Sequence, residues 1–348
     1  MFMINNPGNK AAADDEPACA GSRPQTGWVK GAEYVLTQKG KRFILGSQSG
    51  TFDEKPRNAR QPGRNSHRHD WAGDIAQMGD MLAMGASLRG AMHYGFCTIR
   101  QDSYAIGSEN NTNECKWIIA AIADGVSSAE QAHAFADYMA RQAVITAGEE
   151  LSAATPAKLR DVDWKALAQR LVAVSDDFCR FAARRIVPEE KTAQIARAMP
   201  MDFAQKWATT LELAVVAANC DKPSSGNEYA HLTVAGDGAA YVLNKKQGWN
   251  TIKPGKRQSK NIATNAVFSL PLHPREFPLT YGCLGRYDCL VLATDGLSDF
   301  IGDGGTQLGG FFQDRLPGCA SLASFMQIAD VSMFQADDDR TIVMIKRG

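Results

Sequence analysis

Apolar, β-branched or alternating runs bounded by turn residues stand at KWIIAAIA (116–123), LELAVVAA (211–218), HLTVA (231–235), AAYVLN (239–244), CLVLAT (289–294) and RTIVMIK (340–346). Each predicts a strand. The run HLTVAGDGAAYVLN predicts a β-hairpin with Gly236-Asp237-Gly238 at its turn. Apolar positions three and four apart predict helices over 128–147 and 163–186, the first capped by Ser127 or Ser128. A strand, a helix pair and then several strands joined by tight turns describe an α+β protein rather than a doubly wound α/β sheet. No internal repeat of solenoid length is evident.

The texture before this region is different. Residues 1–80 are rich in Gly, Pro, Asn and charge, with one short apolar patch at YVLTQKGKRFIL (34–45). They are expected to form a flexible or weakly structured extension ahead of a domain spanning 81–348. The HRHD stretch (67–70) within them has the residue types of a metal site, but its polar neighbours offer nothing to orient the imidazoles, and it reads as a solvated linker.

Composition narrows the function classes. The 348 residues are 44% apolar with a formal net charge of +0, enough for a full core and without polyelectrolyte character. A nucleic-acid or anionic-membrane surface is therefore not expected. The first residues lack the apolar core of a signal peptide, no later segment is long and apolar enough to span a bilayer, and a cytoplasmic location is expected. Eight scattered cysteines without a C-x-x-C pair read as reduced, mostly structural thiols.

The candidate chemistry lies where apolar strands stop. WIIAAIADGVSS (117–128) and LVLATDGLSDF (290–300) both end an apolar run in Asp-Gly, at Asp124-Gly125 and Asp295-Gly296. A buried carboxylate is costly unless a cation, a base or a metal compensates it. Asp102 in RQDSYAIG and Asp338 in ADDDRTIVMI share or resemble this setting, and Asp237 and Asp299 sit close to further strand ends. Hard oxygen donors select Mg²⁺ or Mn²⁺, and several carboxylates in one cleft repel unless divalent cations neutralise them, which favours two ions over one. Taken singly, each motif also fits a plain turn, and the acidic run 337–339 also fits a solvated face.

Read in order, GASLRG…RQDSYAI, IIAAIADGVSSA, WATTLELAVV, VAGDGAAYVL, LVLATDGLSDF and DDDRTIVMI resemble the metal-dependent protein phosphatases of type 2C, the PPM family, from about residue 85 to the C-terminus. SLRGAMHYG…QD resembles a bacterial branch of that family. The resemblance implies a four-layer α/β/β/α sandwich with two antiparallel sheets and a metal cleft at one end. It implies a Ser/Thr phosphoprotein phosphatase acting by direct attack of a metal-bridging water, with phosphorylated proteins as substrates and an opposing Ser/Thr kinase as partner. Residue by residue, Asp124 matches the bridging aspartate, Gly125 the carbonyl donor, and Asp295 and Asp338 the other ion's ligands. Asp102 matches an acidic residue acting mainly through bound water, and Asp237 and Asp299 match positions for a third, weaker ion in some members.

Three positions depart from the family pattern. Val126 follows the first Asp-Gly where animal members carry a proposed acid, so His93, His133 or a metal-bound water is the candidate substitute. The phosphate-binding arginine is displaced: Arg89 is the expected clamp, with Arg100 beside Gln101-Asp102 as its rival. Gln101 replaces a common glutamate. Competing enzyme classes fit worse. No G-x-x-x-x-G-K-[ST] loop accompanies CLVLATD, and the neutral composition gives no basic track for a nuclease. The rival of another class is a catalytically weak, phosphatase-like binding or regulatory module.

Overall fold

Two antiparallel sheets, packed face to face, carry the fold. The structure, a computed structural model, describes residues 27–39, 42–45, 69–96, 98–110, 116–153, 159–188, 191–218, 226–255, 268–333 and 336–348. The first sheet has six strands in the order β10 (Gly248–Lys253), β9 (Ala239–Asn244), β12 (Asp288–Ala293), β13 (Arg340–Arg347), β4 (Met81–Leu88) and β3 (Trp71–Met78). The second has five, in the order β11 (Leu279–Leu284), β8 (Asn227–Ala235), β7 (Leu211–Ala217), β6 (Lys116–Ala123) and β5 (Ser103–Asn110).

Why these strands are apolar on both faces follows from the layering. Ile118, Ala120 and Ile122 of β6 meet Leu290 and Leu292 of β12 and Val343 and Ile345 of β13 in the core between the sheets. The alternate residues, Ile119, Ala121 and Ala123, pack outward under helices α2 (Ala132–Ala153) and α3 (Trp164–Ile186). The other sheet's outer face is covered by α5 (Asp295–Ile301), α6 (Gln307–Arg315) and α7 (Leu322–Ala329), together with the hairpin β1 (Leu36–Lys39) and β2 (Arg42–Leu45). Strands buried on both faces lose the polar alternation of a solvated sheet. The result is the expected α+β, four-layer sandwich.

Several expectations change. The run 227–244 is not a hairpin: β8 pairs with β7 and β11, whereas β9 pairs with β10 and β12. Gly236-Asp237-Gly238 carries the chain from one sheet to the other, helped by Gly236 at φ 113, in the left-handed region. The boundary near residue 80 also moves. β3 pairs with β4 along its whole length, Val29 bridges to Trp249, and the Gly31 N–H donates to Gln313 Oε1 at 2.9 Å, so these parts of 1–80 belong to the domain. Helix α2 starts at Ala132, four residues after the expected Ser128, while α3 begins under an Asp163 cap that accepts from the Ala166 N–H at 2.9 Å. Of HRHD, His67 and Arg68 lie outside the described residues. Cys179, Cys289 and Cys319 are buried free thiols, but Cys283 is disulfide-bonded, contrary to the expectation of reduced cysteines. Among the described residues, no helix is long and apolar enough to cross a membrane.

Candidate active site

At one end of the sandwich, four carboxylates approach from both sheets. Asp102 leads into β5 and Asp124 follows β6, both in the five-stranded sheet; Asp295 follows β12 and Asp338 precedes β13, both in the six-stranded sheet. Their electrostatics show that they share one site. Burial, then the charges of Asp102 and Asp295, pushes Asp124 well above the usual carboxylate range. Burial and the Asp339 charge raise Asp102 to about 7, against the lowering effect of a hydrogen bond from Thr294. Burial and the Asp295 charge raise Asp338 to about 6. The Asp124 and Asp295 carboxyl groups lie within hydrogen-bonding reach of each other. Two carboxylates in that relation need a proton or a cation between them.

This donor set fits a hard divalent cation in chemistry: buried, all oxygen, and mutually repulsive until neutralised. Among the described residues, no group of three or more His, Cys, Asp and Glu side chains is already arranged to hold a metal ion. Asp124, Asp102, Asp295 and Asp338 are the residues that would hold the ions, with Gly125 beside Asp124 and bridged to Thr209.

Each carboxylate rests on specific supports. The backbone of Asp124 is held by two threonines: its N–H donates to Thr210 Oγ1 at 2.8 Å, and its carbonyl accepts from the Thr210 N–H and from Thr209 Oγ1, both at 2.8 Å. The Thr294 hydroxyl donates to Asp102 Oδ2 at 2.7 Å and accepts the Thr341 N–H at 3.0 Å, while Thr341 Oγ1 donates to Ser87 Oγ at 2.6 Å. Asp295 is the first residue of α5, and a Cβ on Gly296 would lie 1.9 Å from the Asp339 carbonyl oxygen. Only glycine lets the chain entering β13 pass so close to the helix.

Beneath the Asp237 crossing lies a buried ion-pair network. Glu212 Oε2 accepts from Thr233 Oγ1 at 2.8 Å and lies 3.0 Å from His231 Nε2, while Oε1 pairs with Lys253 Nζ. The same ammonium group donates to the carbonyls of Gly236, at 3.2 Å, and Gly238, on either side of Asp237. Burial would raise the Glu212 carboxyl, but Lys253 and His231 hold it below the usual carboxylate range. Lys253 thus joins β10 to the crossing and, through Glu212, to β7. Asp237 is half-buried at that crossing. Asp299, also half-buried, lies one turn along α5 from Asp295, and its charge reaches Tyr241.

Two expected catalytic side chains are built into a supporting loop instead. Arg89 is 1% exposed; Nη1 donates to Asp70 Oδ1 at 3.0 Å, Nη2 to the His93 carbonyl at 2.9 Å, and the guanidinium lies 4.3 Å from the centre of the Tyr94 ring. A guanidinium so enclosed holds the loop together and presents no open fork to phosphate. His93 is 4% exposed, with Nδ1 2.9 Å from Asp339 Oδ2. Burial lowers its pKa, but the hydrogen bond to Asp339 and the nearby acidic charges outweigh that and raise it. An acid for a leaving alcohol must reach that alcohol, and this ring is covered.

The residue that organises this loop, Asp339, is not among those the sequence singles out. Asp339 Oδ1 accepts the Gly90 N–H at 2.7 Å and Oδ2 accepts the Gln101 N–H, so one carboxylate ties the start of β13 to Arg89-Gly90, His93 and the approach to Asp102. The one signal was its place beside Asp338 in an acidic run. Arg100, 5% exposed, stands two residues before Asp102; burial lowers its pKa, while Asp102 and Asp339 support its charge.

Comparison with known proteins adds the family. A family model described as protein phosphatase 2C matches residues 89–331, which includes Asp102, Asp124, Asp237, Asp295 and Asp299 and stops before Asp338. No curated protein matches the chain. Among solved structures it is similar to the serine/threonine phosphatase Stp1 from Staphylococcus aureus, at 13% identity and a TM-score of 0.48, over 81% of this chain and 98% of that one. It is also similar to PppA, a regulatory component of T6SS in Pseudomonas aeruginosa, at 16% identity and a TM-score of 0.46, over 80% and 100% of the two chains. RsbX in complex with magnesium aligns at 11% identity and a TM-score of 0.45, over 80% and 100%.

Proposed function

The chain belongs to the protein phosphatase 2C family, whose members are metal-dependent protein phosphatases, and from that premise we propose that it is an active Ser/Thr phosphoprotein phosphatase using Mn²⁺ or Mg²⁺. The observation that carries this reading is the convergence of Asp102, Asp124, Asp295 and Asp338, in which burial and then the neighbouring carboxylate charges push Asp102, Asp124 and Asp338 up. These residues would hold two core ions, and Asp237 and Asp299 would serve a third. Bound there, the cations supply an activated water for in-line attack on phosphorus and offset charge on the phosphoryl oxygens.

The chain's own residues do the positioning. Thr209 and Thr210 fix Asp124, and Thr294 fixes Asp102, so the carboxylates need not reorganise as charge develops. Arg100, whose charge interacts with both Asp102 and Asp339, takes the phosphate-side role expected of Arg89. Asp339 and His93 keep the loop before Asp102 in place and act as positioning residues. The substrates are phosphorylated proteins, made by an opposing Ser/Thr kinase in the cytoplasm.

The test is hydrolysis of p-nitrophenyl phosphate and a phosphothreonine peptide with Mn²⁺, with chelator, and with Asp124→Asn and Asp295→Asn proteins. Metal-dependent turnover lost in both variants is expected. A folded, metal-loaded wild type without turnover would overturn the enzyme reading and leave a phosphoprotein-binding module.

A further inference from the structure

The two sheets leave strand edges open on the same side of the sandwich, β3 in one and β5 in the other. Between these edges and α2 lies a cavity of about 760 Å³. Its lining runs from Arg100, buried and two residues before Asp102, to Arg141 on α2, whose side chain is 68% exposed. None of the four carboxylates lines it; Arg100, whose charge interacts with Asp102 and Asp339, is the cavity's link to that cluster, and Arg141 is its link to solvent.

Charge decides what the cavity suits. Arg100, Arg141, His69 and His133 line it together with Asp74 on β3 and Asp137, which stands between His133 and Arg141 on α2. Both acids are already engaged: Asp137 accepts from Ser103 Oγ at 3.1 Å and pairs with Arg141 Nε at 3.1 Å, and Asp74 Oδ1 accepts the Ile75 N–H at 2.9 Å. Arg141 pairs with Asp137 through Nε, and its terminal nitrogens lie outside that contact on a side chain that is mostly exposed. A carboxylate is the group that such a fork binds in bidentate fashion.

Building on the phosphatase reading, we infer that this cavity is a substrate subsite for an Asp or Glu side chain flanking the phosphoresidue of the protein substrate. The phosphoryl group lies at the Arg100 end and the acidic neighbour reaches toward Arg141 and His133. The enzyme thereby prefers phosphosites in acidic sequence, a preference that a small phosphate ester does not reveal.

The experiment scans one Glu, or one Lys, through an otherwise neutral, fluorescently labelled phosphothreonine peptide and reads binding by anisotropy, for wild type, Arg141→Ala and Arg141→Glu. KM and kcat for the same peptides and for p-nitrophenyl phosphate are measured in parallel. The wild type is expected to bind the best-placed Glu peptide roughly two- to fivefold more tightly than the neutral one, the range of an exposed charge pair. Arg141→Ala removes that gain and Arg141→Glu reverses it toward Lys, through KM rather than kcat, with p-nitrophenyl phosphate turnover unchanged. Equal binding of all peptides by the wild type, or a Glu preference that survives Arg141→Glu, overturns the subsite. Binding is read directly and does not depend on turnover, so absence of p-nitrophenyl phosphate hydrolysis would overturn the phosphatase reading alone.

Discussion

Asp124-Gly125 and Asp295-Gly296 are the same dipeptide at the ends of two apolar strands, yet they are held in different ways. Asp124 sits in irregular chain, its backbone gripped by Thr209 and Thr210 at the head of the neighbouring strand. Asp295 opens a helix, and its position is set by how closely the chain entering β13 passes Gly296. One carboxylate depends on hydrogen bonds between strands and the other on backbone packing. A shared motif therefore states where a functional group is delivered, while the surroundings decide how it is fixed.

That contrast can be broken from either side, and the deepest break is under the Asp124 side. Lys253→Met leaves Glu212 buried without its main counter-charge and frees the crossing that carries Asp237. We expect a loss of about 3–5 kcal/mol in chemical denaturation, the usual cost of stranding one member of a buried pair. Titration of Mn²⁺ followed by calorimetry should show weakened binding in the same variant. A loss under about 1 kcal/mol would mean that water replaces the ammonium group.

The glycines sharpen the comparison. Gly296→Ala drives a methyl group into the Asp339 carbonyl, which belongs to backbone and cannot swing aside, and should cost roughly 3 kcal/mol. Gly125→Ala meets the Gln101 carbonyl at 2.9 Å and the Ala132 methyl at 3.0 Å, a milder conflict worth about 1 kcal/mol. Equal melting temperatures for the two variants would contradict the distinction.

A pH dependence is common to both sides. Asp102 and Asp338 have folded-state pKa values raised from 3.8 to about 7 and about 6. Raised carboxyl groups contribute stability that is fully present below the unfolded value and lost as pH rises through the folded values. Chelator-treated protein should therefore lose stability progressively between about pH 4 and pH 7, and saturating Mn²⁺ should cancel the trend. Urea denaturation across that range, with and without the ion, measures it; a flat chelator curve would mean that the carboxylates are not coupled as described.

The sequence made the doubly buried strands legible because apolar residues dominate β6, β7, β9, β12 and β13. It could not say which sheet each strand joins: β8 and β9 look like partners across a Gly-Asp-Gly turn, but both are apolar on both faces, so pairing is decided by the layer each packs into. β3 escaped notice because WAGDIAQM is an edge strand with Gly73 and Asp74 in it and exposed Trp71 and Ile75. In the site, the carboxylates at strand ends could be read directly. Their supports could not: Thr210, Thr294 and Thr341 look like ordinary β-formers, Lys253 like a solvated charge, and Asp339 like the third letter of an acidic run. Arg89 and His93 had the right chemistry at roughly the right spacing, but burial, which local sequence does not encode, assigns them to the loop.

The division of the carboxylates between the sheets, Asp102 and Asp124 from one and Asp295 and Asp338 from the other, has a mechanical consequence. A cation bound among all four would be a further clasp across the seam between the layers, beside the Lys253–Glu212 pair and the Thr294–Asp102 hydrogen bond. Sliding one layer against the other would pull that clasp apart. Ion occupancy and resistance to shear should therefore rise and fall together, and a force that separates the layers should meet its first obstacle at the end of the sandwich where the chemistry takes place.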